Sequence, residues 1–165
     1  MSIVMERKSV RAYTKESVSE EHITALLQAA MQAPSANNQQ PWSFIVVDDR
    51  PTLDHLSKAS SGAWMLVDAP LAIIVVLQDG GRSPHMKPQD CAAATENILL
   101  EAVSLGLGAV WIGVYPLEDR MRYVNEALHI KNGTAFAQIA IGHPKDQKDV
   151  QLRFDATRVY RNKME

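Results

Sequence analysis

The chain has one cysteine, Cys91, in 165 residues. That excludes an intrachain disulfide framework and a thiolate metal cluster, and it fits a reducing cytoplasm. The five histidines (His22, His55, His85, His129, His143) show no paired ligand spacing, so no metal site is expected. Neither charge sign is in excess: the formal net charge is -2, which gives no electrostatic reason to expect nucleic acid or a membrane as partner. No apolar run reaches the length of a membrane-spanning helix, and Met1 to Arg7 lack the apolar stretch of a secretory signal. Neither a G-x-x-x-x-G-K-[ST] loop nor a G-x-S-x-G elbow occurs.

What remains is 46% hydrophobic and 22% charged, the profile of one globular domain, residues 1–165, with a sizeable core. Ser19 before Glu20-Glu21 marks a helix start, because Ser caps well and Glu suits the positive end of the dipole. Ile23, Leu26, Leu27, Ala30 and Met31 follow at helical spacing, and Pro34 stops the helix. Trp42 to Val47 reads as a strand feeding the sheet interior, and Pro51 opens a helix near Thr52 to Ala59. Trp64 is assigned to the core, the usual place for Trp, with a pocket wall as the alternative. Ala69 to Leu77 is a continuous apolar run, a strand buried on both faces. Gln78 to Gln89 reads as an irregular loop, a candidate cover for a substrate pocket.

Asp90 to Leu105 is a helix apolar nearly all round, so it is central or packed against a second subunit. Asn97 within it needs a hydrogen-bond partner. Cys91 reads as buried filler rather than a nucleophile. Gly106 and Gly108 end that helix and open a strand over Ala109 to Val114, the reverse of a dinucleotide fingerprint. Leu117, Met121, Val124 and Leu128 make a helix stopped by Lys131-Asn132-Gly133, and Ala135 to Ile141 alternates with period two as a strand.

Two polar clusters stand apart from this frame. Arg7-Lys8-Ser9-Val10-Arg11 places cations and a hydroxyl together, the donor set for an anion. Pro34-Ser35-Ala36-Asn37-Asn38-Gln39-Gln40-Pro41-Trp42 is free of charge and rich in amides, which present donors and acceptors to a flat polar edge. From Lys145 the chain is polar and basic (Lys145, Lys148, Arg153, Arg158, Arg161, Lys163), which by itself reads as a solvated tail.

Four segments in this order, "RKSVR", "APSANNQQPW", "AAATENILLEAVSLGLGAVWIG" and "IAIGHP", resemble the nitroreductase family of FMN-dependent oxidoreductases, from about Arg7 to about Pro144. The resemblance implies an α+β fold: a central, mainly antiparallel sheet of four or five strands flanked by helices, with a C-terminal extension wrapping the partner subunit. It implies that Arg7, Lys8, Ser9 and Arg11 hold FMN by its phosphate, ribityl chain and pyrimidine end. It implies a homodimer with two shared FMN sites, in which Pro34, Ser35, Ala36, Asn38 and Gln40 come from the partner. Asn38 and Gln40 stand nearest the flavin, ahead of Asn37 and Gln39. Ile112, Gly113 and Val114 are implied to pass the ring and offer backbone amides near its reactive nitrogen, with Gly113 allowing close approach. A C-terminal cation is implied to return to the phosphate, Arg153 first and Arg161 second.

The activity implied is a ping-pong cycle. NADH or NADPH gives a hydride to flavin N5 and leaves, and a small oxidised acceptor such as a nitroaromatic or quinone takes the same face. No side chain is needed as acid or base. Lys8 or Arg11 stabilises charge on reduced flavin; a unit pair ~4 Å apart at an effective dielectric near 20 is worth roughly 4 kcal/mol before screening. Reductive dehalogenation or dehydrogenation on the same fold, and flavin binding without turnover, are the alternatives.

Overall fold

The computed structural model describes residues 2–146 and 149–164. Lys148 of the basic tail lies outside them. The elements in chain order are α1 (Ile3–Glu6), α2 (Glu20–Met31), β1 (Trp42–Val47), α3 (Arg50–Leu56), β2 (Leu71–Leu77), α4 (Lys87–Ser104), β3 (Gly108–Gly113), α5 (Glu118–Ala127) and β4 (Thr134–Gly142). The four strands form one antiparallel sheet in the order β1-β2-β4-β3. This is the α+β class expected, with four strands.

Local chemistry sets the helix starts. The Ser19 hydroxyl accepts the His22 backbone N–H at 3.2 Å and opens α2. The Asp49 carboxylate accepts from Thr52 at 2.9 Å and opens α3, with Pro51 in its first turn.

The sheet is buried on both faces, and each face has its own core. On one, Ile23, Leu26 and Ala30 of α2 and Ile98, Leu99 and Ala102 of α4 pack on Ile73, Val75, Ile139 and Ile141. On the other, Leu53 and Leu56 of α3 and Val124 of α5 pack on Ile74, Val76, Val110 and Ala140. Both faces of β2 are closed, as its unbroken apolar run requires. Asn97 finds its partner: its amide donates to the Ala29 carbonyl at 2.9 Å and ties α4 to α2.

Four expectations need correction. β1 lies at the sheet edge, not in its interior; Ser43 and Val46 are exposed, and the centre goes to the fully buried β2 and β4. α4 begins at Lys87, after a 3-10 turn at Pro84–Met86, so the preceding loop is shorter than the sequence suggests. The helix is not buried all round either: Cys91, Ala94, Thr95, Ile98, Leu99 and Ala102 form the buried stripe, while Ala92, Ala93, Leu100 and Val103 are half-buried. Trp64 is not in the core. The 3-10 turn Ser61–Val67 sends Ala63 and Leu66 inward, and its three-residue period turns Trp64 and Val67 out, leaving Trp64 54% exposed. Among the described residues, no helix is long and apolar enough to cross a membrane, and no group of three or more His, Cys, Asp and Glu is placed to hold a metal.

Candidate functional site

The basic segment is fixed to the start of β3. Ser9 bridges Ala109 in parallel, and the Val10 N–H donates to the Ala109 carbonyl at 3.0 Å. The Tyr13 hydroxyl lies 2.6 Å from the Val10 carbonyl and 3.1 Å from that of Ala140, pinning the segment across the end of β4. Burial pushes this phenol well above its ordinary pKa, so it stays a donor. Arg7 and Lys8 are half-buried, while Ser9 and Arg11 are exposed. The Arg7 guanidinium is steadied by Glu96 of α4 at 3.5 Å.

Of the clefts along this segment, two gather the expected side chains. One, of about 260 Å³, is lined by Lys8 to Ala12, the exposed indole of Trp64 and Asp146. The other, of about 310 Å³, brings Arg7 and Lys8 together with Arg153 and the adjoining stretch Asp149 to Leu152. Of the two tail arginines singled out, the structure thus gathers Arg153 to the basic segment and leaves Arg161 off the lining of both clefts. Trp64 is the wall residue that burial statistics hide.

The free edge of β3 carries the third set. The Ala109 carbonyl turns away from β4 toward Val10, so by strand alternation Trp111 and Gly113 turn their backbone groups the same way. The Gly113 carbonyl accepts from Arg120 at 2.9 Å, and its N–H points to the same open side. A Cβ built on Gly113 meets nothing within 4 Å, so no packing within the chain demands glycine there. Ile112 and Val114 point their side chains into the core and have only backbone to offer.

The amide loop is separate. Pro34, Asn38 and Gln40 are exposed, and Ser35 and Ala36 half-buried. Asn37, Asn38 and Gln40 all have left-handed backbone, with φ of 53, 50 and 48 degrees. Such angles are uncommon outside glycine, most of all for Gln. The Ser35 hydroxyl accepts the Gln40 N–H at 3.0 Å. Asn37 and Gln39 both bond Ser83, Asn37 at the surface and Gln39 half-buried, whereas Asn38 and Gln40 bond each other at the surface, the Gln40 amide donating to Asn38 at 2.9 Å. Beneath lies Asp90, 6% exposed, accepting from the Ala36 N–H at 2.9 Å and the Gln39 amide at 2.7 Å. Sequence reading missed Asp90, since its partners lie about fifty residues away.

The loop and the basic segment occupy diagonal corners of the sheet. The loop enters β1 at Trp42, which shares one sheet end with Leu77, Thr134 and Gly113; Ser9 sits beyond β3 at the opposite end, beside Ala109. Four interstrand steps of ~4.8 Å and about five residue steps of ~3.3 Å put the two on the order of 25 Å apart. One flat ring cannot touch both within one chain.

Comparison with known proteins identifies the family. The model of the nitroreductase family matches residues 4–74 and 65–143. The chain belongs to the nitroreductase family. A protein of Archaeoglobus fulgidus, provisionally named NADH dehydrogenase/NAD(P)H nitroreductase, is 45% identical over 99% of this chain and 97% of its own length. A crystal structure provisionally named NADH oxidase, from Clostridium acetobutylicum, superposes with a TM-score of 0.96 at 45% identity, covering 99% of this chain and 100% of that one. A nitroreductase of Desulfovibrio desulfuricans, also provisionally named and solved in complex with FMN, gives a TM-score of 0.82 at 30% identity over 99% and 96% of the two chains.

Proposed function

We propose that the protein is an FMN-dependent NAD(P)H oxidoreductase working as a homodimer with two shared sites. The observation that carries this is the convergence of Arg7, Lys8 and Arg153 on one cleft, contiguous through Lys8 with the cleft walled by Trp64. That arrangement fits an anion joined to a flat ring. Arg7, Lys8 and Arg153 hold the phosphate by charge-assisted hydrogen bonds. Ser9 and Arg11, which line the adjoining cleft, would hold the ribityl chain and pyrimidine end, and Arg11 would lower the energy of negative charge there. Gly113 would let a ring come close to the free edge of β3, where its N–H could donate. FMN, when bound, supplies the hydride-accepting and hydride-donating centre. The chain's own residues orient that centre and set its electrostatics, and no acid or base side chain is required.

The diagonal separation of the two clusters supports the homodimer. A two-fold axis brings Asn38 and Gln40 of one chain to the basic segment of the other. The exposed tail, with Leu152 59% and Phe154 86% exposed, suits a segment that wraps the partner subunit. Turnover is ping-pong, with a small oxidised acceptor such as a nitroaromatic or quinone following the nicotinamide.

The test is an absorbance spectrum after incubation with FMN and removal of free ligand, then anaerobic NADH and NADPH, with sedimentation run alongside. Retained flavin bands that bleach with either nicotinamide, on a particle of twice the chain mass, are expected. A folded protein that retains no flavin overturns the reading, and a monomer that binds it tightly overturns the shared site.

A further inference from the structure

Asp90 sits in the first turn of α4 and is nearly inaccessible, yet it carries no task in packing the core. Its two oxygens have separate partners. Oδ1 accepts the Ala36 backbone N–H, and Oδ2 accepts from the Gln39 side-chain amide. Gln39 in turn closes a pair of bonds with one residue: its amide nitrogen donates to the Ser83 carbonyl at 3.1 Å, and its oxygen accepts the Ser83 N–H at 3.0 Å. The donor–acceptor polarity of this chain is fully determined. Ala36 N–H can only donate; Ser83 N–H and carbonyl fix which way the Gln39 amide faces; that face presents NH₂ to residue 90. Only a double acceptor fits there.

The same turn of α4 reaches the loop's far end. The Cys91 thiol lies 3.7 Å from the Pro41 carbonyl, and the Lys87 ammonium donates to the Gln78 carbonyl at 2.6 Å, next to the strand pair that follows the loop. Between these fixed points lie Asn37, Asn38 and Gln40 with their left-handed backbone. Such conformations persist only where surrounding structure over-determines them. Here they have an evident product: Gln39 reaches in to Asp90, Asn37 is tied along the surface to Ser83, and Asn38 and Gln40 face out.

We infer that Asp90 is a positioning residue that sets the outward presentation of Asn38 and Gln40, and through them the flavin site of the partner subunit. This rests on the shared-site reading above. Asp90 touches neither the flavin nor any acceptor. It acts by holding the Ala36 main chain and the Gln39 amide so that the neighbouring amides project toward the partner. The substitution Asp90→Asn is nearly isosteric but has one acceptor and one donor. Whichever way it faces, a donor meets a donor at Ala36 or at Gln39. Turning the Gln39 amide to relieve the second clash breaks both bonds to Ser83.

The experiment measures FMN dissociation by flavin fluorescence, the visible flavin bands and the dimer mass for four proteins: wild type, Asp90→Asn, Gln39→Met and the double variant Asp90→Asn/Gln39→Glu. The double variant places an acceptor opposite the new amide at position 90 and leaves that amide's oxygen free for Ala36; it keeps the bond from the Ser83 N–H and gives up the one to the Ser83 carbonyl, so recovery is partial. Both single variants are expected to remain dimeric, to bind FMN at least tenfold more weakly, and to show altered flavin bands; the double variant is expected to recover part of the affinity. A folded, dimeric Asp90→Asn with wild-type affinity and bands overturns the inference. If Asp90→Asn does not fold, Gln39→Met decides by the same criterion. A wild type that binds no FMN defeats the flavin reading instead, so the two failures are distinguishable.

Discussion

Val10 occupies the space that a side chain on Gly108 would need: a Cβ built there lies 2.6 Å from a Val10 methyl carbon. The basic segment therefore touches β3 at a point where nothing larger than hydrogen is accommodated.

Gly108→Ala must displace Val10 and with it the flanking Lys8, Ser9 and Arg11. We expect weaker FMN binding by tenfold or more and a stability loss of about 1–3 kcal/mol, typical of overpacking. Gly113→Ala meets open space within the chain. It should leave thermal unfolding of the flavin-free protein unchanged and lower flavin affinity alone. Calorimetry with and without FMN checks both; equal destabilisation of the flavin-free forms would remove Gly113 from the ligand side of β3.

Arg153 and Arg161 offer a sharp contrast, because only Arg153 lines the cleft with Arg7 and Lys8. Loss of a charge-assisted bond is worth about 1.5–3 kcal/mol, so Arg153→Ala should weaken FMN roughly ten- to a hundredfold. Riboflavin, which lacks the phosphate, should bind the variant and the wild type alike. Arg161→Ala should change neither. Titration of both flavins against the three proteins reads this directly.

The Cys91 thiol is fully buried, and its pKa is pushed up to about 12, first by burial and then by the neighbouring Asp90 charge, against a smaller opposing effect of Lys87. It should resist alkylation at pH 8 until the chain unfolds. The sign for stability follows. Between pH about 9 and about 12 the unfolded thiol loses its proton while the native one keeps it, so this group's contribution to stability falls as pH rises through that window. Cys91→Ala should flatten that part of the stability profile, measured by denaturant unfolding at several pH values.

Gln138 is buried in β4 between Ile74 and Ile112, and neither its amide oxygen nor its nitrogen has a partner among the described residues. Replacing a buried unsatisfied amide with an apolar side chain of similar shape removes a penalty of about 1–3 kcal/mol. Gln138→Met should therefore raise the melting temperature, by roughly 2–4 °C for each kcal/mol in a chain of this size. A lowered melting temperature would show that a water completes the amide's bonds.

The frame was legible where local rules act alone. Trp42 to Val47 appears as a strand at the boundaries its side chains suggest, and the run from Ala69 appears as one over Leu71–Leu77, because β-branching and apolar continuity need no distant partner. The place of β1 at the edge was not legible, since periodicity says nothing of neighbours in a sheet. Trp64 misled through the general preference of indoles for burial; only the 3-10 turn around it decides which way it faces. In the site, the basic segment and the amide loop were readable as two separate polar clusters. Asp90 was not, because an acid at the start of a helix looks like ordinary dipole compensation until Ala36 and Gln39 arrive beside it.

The diagonal placement of the two clusters has a genetic consequence. If each site draws its cations from one chain and its amides from the other, two defective alleles can complement. A chain carrying Arg11→Ala and a chain carrying Asn38→Ala are each impaired in both sites as homodimers. Their heterodimer has one site with both lesions and one site with neither. Random pairing of the two chains should then restore about a quarter of all sites to the unmutated state. Neither parent strain would show that activity, and a cell expressing both would.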